Sequence, residues 1–281
     1  MGYSALYVPD HFGDHVGPIA ALMAAADATT TMRIGSLVFD NDYRHPVVLA
    51  KEAATLDVLS DGRLDFGLGA GWMRTDYEQS GIAYDSPGTR IERMAEALAI
   101  IKQLFAGGEF SFEGKFYTIR GLQGLPSPVQ KPHPPIVIGG GGRKMLELAA
   151  READIINVNF DLREGRPSRR TAQTGRAAAT EEKLQWIREA AGERFEHIEL
   201  GAWTLQASIT DDRDLIAQAF ASQMAMDPDD LLEIPHVLIG NVDQIVEALE
   251  KRRERFGFSH VIVPGDAAED LAPVVARLAG R

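Results

Sequence analysis

The chain has no cysteine among its 281 residues. That absence excludes a disulfide framework, thiol catalysis and a thiolate metal site, and nothing else requires an oxidising compartment. No run of about 18 apolar residues is present to span a bilayer, and the N-terminus has no basic segment ahead of an apolar one. Neither a membrane span nor a secretory signal is therefore expected, and the default location is the cytoplasm. Positive charge is also scarce: 29 Lys+Arg against 41 Asp+Glu leave a net charge of −12, which repels nucleic acid and anionic lipid. The expected partner is a small molecule, with no nucleic acid and no membrane.

What the chain does have is enough apolar content, 45%, to bury a large core. Its length suits one α/β barrel or two ordinary domains, and one barrel is the expectation. Seven segments read as strands: Ala5–Pro9, Met32–Phe39, Leu64–Gly69, Pro135–Ile138, Asp154–Phe160, Glu199–Gln206 and Ser259–Pro264. Most are short continuous apolar runs, the pattern of parallel strands buried on both faces. Amphipathic helices lie between them. Pro46 suits a first helical position, Thr89 and Glu92 form a capping-box pattern, and Gly107-Gly108 ends that helix. Asn241 is a cap for a helix that Gly257 terminates. Strand-helix alternation of this kind argues for parallel βαβ units.

An open doubly wound sheet would alternate in the same way. A barrel is preferred because functional residues of barrels gather at the C-terminal ends of several strands, and here five strand ends carry polar or glycine-rich sequence. They are Val8 to His11, Ser36 to Asn41, Gly67 to Trp72, Gly139 to Gly142 and Asn157 to Asn159. The four glycines open a helix at Arg143, where bare backbone N–H groups and the helix dipole favour an anion such as a cofactor phosphate. A tight turn that binds nothing remains the alternative. At the first strand end, His11 can exchange a proton near neutral pH, and adjacent Asp10 can raise its basicity or position it. Asp10 as a loop cap is the alternative. His11 and His15 stand four apart, but Gly13 argues against a helix there and no metal is expected.

The segments GYSALYVPDHF, RIGSLVFDNDYRHPVVLAKEAATLDVLSDGRLDFGLGAGW and PPIVIGGGGRKMLELAAREADI together resemble the luciferase-like monooxygenase superfamily. The nearest likeness is to its coenzyme F420-dependent oxidoreductases. The resemblance covers nearly the whole chain and implies a (β/α)8 TIM barrel as a single domain over residues 1–281, with insertions at about 108–134 and 161–180. Relatives carry a strand and a helix ahead of GYSALYVPDH. The resemblance therefore implies a barrel lacking its first strand and most of its first helix, with a misassigned start codon as the expected cause. The strand edges left open would admit water or a second copy, so a homodimer is among the expected states.

The resemblance also implies site residues. His11 becomes the catalytic acid/base and Asp10 orients cofactor or substrate. Ser36, Leu37 and Val38 support the cofactor ring, with a non-prolyl cis peptide at Ser36-Leu37, and Asn41 bonds the ring edge. Gly69, Ala70 and Gly71 let backbone approach the ring. Gly139, Gly140, Gly141 and Gly142 take the phosphate. Trp72 and Tyr77 line the substrate pocket. Relatives that oxidise sugar phosphates carry a glutamate where this chain has Trp72, so the substrate is expected to be a different small organic molecule in a more apolar pocket. Arg163, Arg166, Arg169, Arg170 and Arg176 suggest a lid attractive to the phosphate and glutamate tail of F420, against a solvated loop as the alternative. Residues 108–134 read as a hairpin.

The expected activity is hydride transfer between F420 and a small substrate. The alternatives are an FMN-dependent monooxygenase acting with oxygen, and a noncatalytic flavin-binding protein or inactive fragment.

Overall fold

A computed structural model describes residues 1–280, which divide into two compact units. One comprises Ser4–Gly139 with Glu152–Asp154, and the other Met1–Tyr3, Gly140–Arg151 and the chain from Ile155 on. In both, parallel strands alternate with helices, the α/β class expected from the sequence.

The first unit runs β1 (Ala5–Val8), α1 (Pro18–Ala28), β2 (Arg33–Ser36), β3 (Phe39–Asp40), α2 (Pro46–Leu59), β4 (Leu64–Gly69), α3 (Arg74–Ser80), α4 (Pro87–Ala106), β5 (Glu109–Glu113), β6 (Thr118–Gln123) and β7 (Ile136–Gly140). β1, β2, β4 and β7 are parallel neighbours in that order, with Tyr7 beside Gly35 and Phe66 beside Ile136. β4 is buried at every residue, as a strand covered on both faces must be. Its Phe66 ring meets Phe39 and Phe105, with centroids 6.0 and 5.5 Å away. Leu49, Ala53, Leu98 and Ile101 supply the helical side of this core. Pro46 opens α2 as expected, capped by the His45 side chain. Proline at the next suitable place, Pro87, opens α4 earlier than the Thr89 pattern implied, and the cap is Ser86, whose Oγ accepts from Thr89 N. The strand read as Met32–Phe39 breaks into β2 and β3. Its non-prolyl cis bond is Leu37-Val38, one peptide later than expected. β5 and β6 form the expected antiparallel hairpin.

The second unit continues with α5 (Arg143–Glu152), β8 (Ile155–Val158), α6 (Arg169–Gln173), α7 (Ala177–Ala191), β9 (Glu199–Trp203), β10 (Gln206–Ile209), α8 (Arg213–Met224), α9 (Pro228–Leu232), β11 (Val237–Gly240), α10 (Val242–Phe256), β12 (Phe258–Ile262) and α11 (Ala272–Leu278). β8, β9 and β12 are parallel neighbours, while β10 pairs only with β11. The segment expected as one strand, Glu199–Gln206, therefore divides: Thr204 N still bonds Ile262 O, but Leu205 N turns to His236 O. β11 was not expected at all. Asn241 caps α10 as expected, in a capping box with Gln244 that the sequence did not announce, and Gly257 is the expected left-handed terminator. Among the described residues no helix is long and apolar enough to cross a membrane.

Candidate cofactor and substrate site

The chain leaves β1 through Pro9 into Asp10, whose buried carboxylate is paired with Arg44 and accepts Asp40 N at 3.0 Å. Both oxygens are engaged in holding the strand end, so Asp10 is not the carboxylate that assists His11. That carboxylate is Asp76, in the first turn of α3. Its Oδ2 lies 2.6 Å from His11 Nδ1 and also accepts the Tyr43 hydroxyl at 3.0 Å. A carboxylate on Nδ1 fixes the imidazole tautomer and orientation and leaves Nε2 to exchange a proton. The His11 side chain is 22% exposed and that of Asp76 6%, so the pair has one face toward solvent. The Trp72 ring stands edge-on to His11 with centroids 5.8 Å apart, and His15 lies 5.9 Å away on another side.

Beneath this pair is a buried polar layer the sequence reading did not assemble. Tyr77, expected beside the substrate, is fully buried. Its hydroxyl lies 3.2 Å from Asp40 Oδ2 and 3.1 Å from Asp42 Oδ2, with donors and acceptors consistent with a protonated phenol. Burial, then the charges of Asp40 and Asp42, raise the Tyr77 pKa well above its ordinary value, so it keeps its proton and is not a substrate-side donor. Burial likewise pushes the Asp40 carboxyl up to about 7. Arg93 bridges Asp42 and Asp85 at 2.8 Å each, tying the layer to α4.

The residues expected at the cofactor face divide by what surrounds them. Ser36 is buried and its Oγ donates to Val8 O at 2.9 Å. Leu37 and Val38 are half-buried. A Cβ at Gly69 would strike Val38 Cγ2, and one at Gly71, where φ is +71°, would fall on the Tyr77 hydroxyl. Their small size thus admits the protein's own side chains. Ala70 is buried and its carbonyl accepts from Arg90 Nε. Gly139 differs: a Cβ there would meet only Val38 Cγ1, at 4.0 Å. Asn41 is buried, bonds the Tyr117 hydroxyl of the hairpin through Nδ2 at 3.4 Å, and has no donor for Oδ1. A buried acceptor without a donor is rare and suits a ligand N–H.

In the second unit, a Cβ at Gly140 would enter Met145, and one at Gly141 would strike the Phe160 and Asn159 carbonyls. At those two positions packing already requires glycine, whatever the backbone binds. Gly142 has ordinary contact distances, 3.5 Å to Asp161 Oδ1. Of the arginine-rich segment, Arg163 and Arg166 lie in the turns ahead of α6, Arg169 and Arg170 open α6, and Arg176 is the N-cap of α7; three are paired: Arg163 with Asp161, Arg170 with Glu164, and Arg176 with Asp230. These pairs satisfy charge that the sequence reading assigned to a cofactor tail.

Residues 1–260 match the family described as luciferase-like monooxygenase. The chain belongs to that family. Luciferase-like relatives include the FMNH2-dependent dimethylsulfone monooxygenase of Pseudomonas putida, 28% identical over 163 residues, 58% of this chain and 44% of that protein. This luciferase-like chain spans about half the length of the curated relatives it matches. Among solved structures, an F420-dependent secondary alcohol dehydrogenase superposes with a TM-score of 0.77 at 18% identity, covering 100% of this chain and 91% of the other. EDTA monooxygenase from Chelativorans sp. BNC1 gives 0.75 at 16% identity, covering 98% and 82%. At such identities the structures speak to the fold, which is that of the luciferase-like barrel enzymes.

Proposed function

We propose that this luciferase-like protein is an F420-dependent oxidoreductase that moves hydride between the deazaflavin and a small organic substrate. The observation that carries the reading is the His11–Asp76 pair at the end of β1, edge-on to Trp72. A deazaflavin supplies two-electron hydride chemistry at its ring carbon when bound. Asn41 Oδ1, which has no donor from the protein, fits a ring N–H, and half-buried Leu37, Val38 and Gly139 are the residues that would face the planar ring. The Gly139–Gly142 run at the start of α5 would take the phosphate.

In this reading His11 Nε2 takes the proton that leaves as substrate is oxidised and returns it in reduction. Asp76 keeps the proton on Nδ1 and stabilises the imidazolium, and Tyr43 holds Asp76. Trp72 walls the substrate on its apolar side. The second reading is an FMN-dependent monooxygenase, favoured by the name of the Pseudomonas putida relative.

Titration of the protein with F420 and with FMN, followed by absorbance, separates the two. F420 is expected to bind more tightly. With the preferred cofactor, His11→Ala should lose roughly a hundredfold or more in turnover with little change in cofactor affinity. If turnover persists and only affinity falls, His11 is a cofactor contact and the acid/base role is wrong.

A further inference from the structure

From the side chain of Lys183 we infer a positioning residue for the phosphate-binding backbone at Gly140–Gly142, an inference that rests on the phosphate reading above. Lys183 is an almost fully buried lysine on α7, 2% exposed. Its Nζ donates to Asn159 O at 2.7 Å and to Thr174 O at 2.5 Å. No carboxylate is among its hydrogen-bond partners, an unusual state for a buried ammonium, which is normally paired.

Both carbonyls belong to the structure that supports the glycines. Asn159 N donates to Gly140 O at 2.8 Å, and the Asn159 and Phe160 carbonyls close off the space beside Gly141 so tightly that only glycine fits. Thr174 Oγ1 accepts Asp161 N at 2.9 Å, and Gly175 lies against the Phe160 ring. Lys183 therefore ties two segments, one after β8 and one after α6, and the first of them bonds directly to the glycine run. Asn159 links this ammonium to Gly140, accepting from Nζ at its carbonyl and donating to Gly140 O at its amide, so an anion held by the Gly140–Gly142 backbone would bring negative charge to the same loop cluster.

The charged groups around Lys183 are few. Asp161 acts on it from a distance while paired with Arg163, Glu182 is its neighbour on α7, and buried His236 feels its charge from the start of β11. Burial outweighs Asp161 and Glu182 and pulls the Lys183 pKa down to about 8. A bound phosphate would favour the charged form, so binding should take up a proton near that pH.

The test compares ligands that differ only in the phosphate-bearing tail: F420 against its phosphate-free deazaflavin, and FMN against riboflavin. In Lys183→Met, affinity for the phosphorylated member of each bound pair should fall roughly tenfold, the worth of a charge-assisted interaction, while the phosphate-free member changes little. Lys183→Arg, which keeps a charge, should restore part of the loss. Wild-type affinity for the phosphorylated ligand should weaken as pH rises through 8, and that dependence should vanish in Lys183→Met. Equal loss for both members of a pair, or an unchanged pH profile, overturns the proposal. If the wild type binds none of these ligands, the functional reading fails on its own. Hydrogen exchange then still decides the positioning role: faster exchange over residues 139–160 in Lys183→Met supports it, and unchanged exchange refutes it.

Discussion

A histidine becomes an acid/base group through its neighbours, and in the proposed reading of His11 the neighbour that would orient it, Asp76, is 65 residues away. The carboxylate beside it in sequence, Asp10, is used up by Arg44 and the Asp40 amide. Asp76→Asn should therefore do what a misoriented imidazole does: lower turnover by roughly a hundredfold and leave cofactor affinity nearly intact. Asp10→Asn should instead lower stability through loss of the Arg44 pair, with a smaller effect on turnover per folded molecule. Steady-state kinetics on both variants, beside a melting curve for each, tests the division of roles. Equal kinetic damage from both would return Asp10 to the site. Asp76 was out of reach of sequence reading because nothing local distinguishes it: it is one acidic residue in the first turn of a short helix, where such residues are commonplace. His11 stands out in the sequence because a polar dipeptide after an apolar strand is visible without knowing its partners, and its acid/base role is the proposal that the Asp76 variant tests.

Elements were more legible than contacts, and the glycine run shows where the legibility stopped. Its place after a buried strand and before α5 follows from the pattern of apolar residues alone, but four adjacent glycines hide different duties. At Gly141 the missing Cβ makes room for the Asn159 and Phe160 carbonyls, whereas at Gly139 and Gly142 the room is not filled so tightly. Gly139→Ala and Gly142→Ala should accordingly fold with melting temperatures close to the parent and yet weaken binding of the phosphorylated cofactor by about tenfold, as a methyl group intrudes on anion and ring. Gly141→Ala should instead unfold at lower temperature, by an overpacking cost of about 1–3 kcal/mol or more. Differential scanning fluorimetry with a cofactor titration separates the classes, and full affinity in both tolerated variants would move the phosphate elsewhere. Strand boundaries failed for a related reason. Glu199 to Gln206 is one apolar stretch in sequence, and what splits it is the choice of partner, Ile262 for Thr204 and His236 for Leu205. β11 is only four residues long and follows Pro235, too little periodicity to register before its partner β10 is known.

Across the whole molecule, two buried groups set opposite dependences of stability on acidity. Asp40, in the first unit, has its folded pKa raised by burial to about 7 from an ordinary 3.8, so its contribution is complete below the unfolded value and is lost as pH rises through 7. His236, in the second unit, is buried with Nδ1 on Trp203 O and its ring on Phe160, and burial lowers its pKa to about 3 from 6.5. Its contribution is complete above 6.5 and is lost as pH falls toward 3. Each full shift corresponds to an upper bound on the order of 4 to 5 kcal/mol at about 1.4 kcal/mol per pKa unit, and between pH 4 and 6.5 the two slopes oppose each other. The parent protein should therefore show a shallow stability profile across that interval. Removing one titration exposes the other: in Asp40→Asn stability should rise with pH from 4 to 6.5, and in His236→Gln it should fall. The slope, read from urea unfolding at several pH values, distinguishes these outcomes even where a substitution also costs packing energy, because lost packing displaces the whole curve without tilting it. Parallel curves for the parent and both variants would mean that neither group titrates as its burial requires.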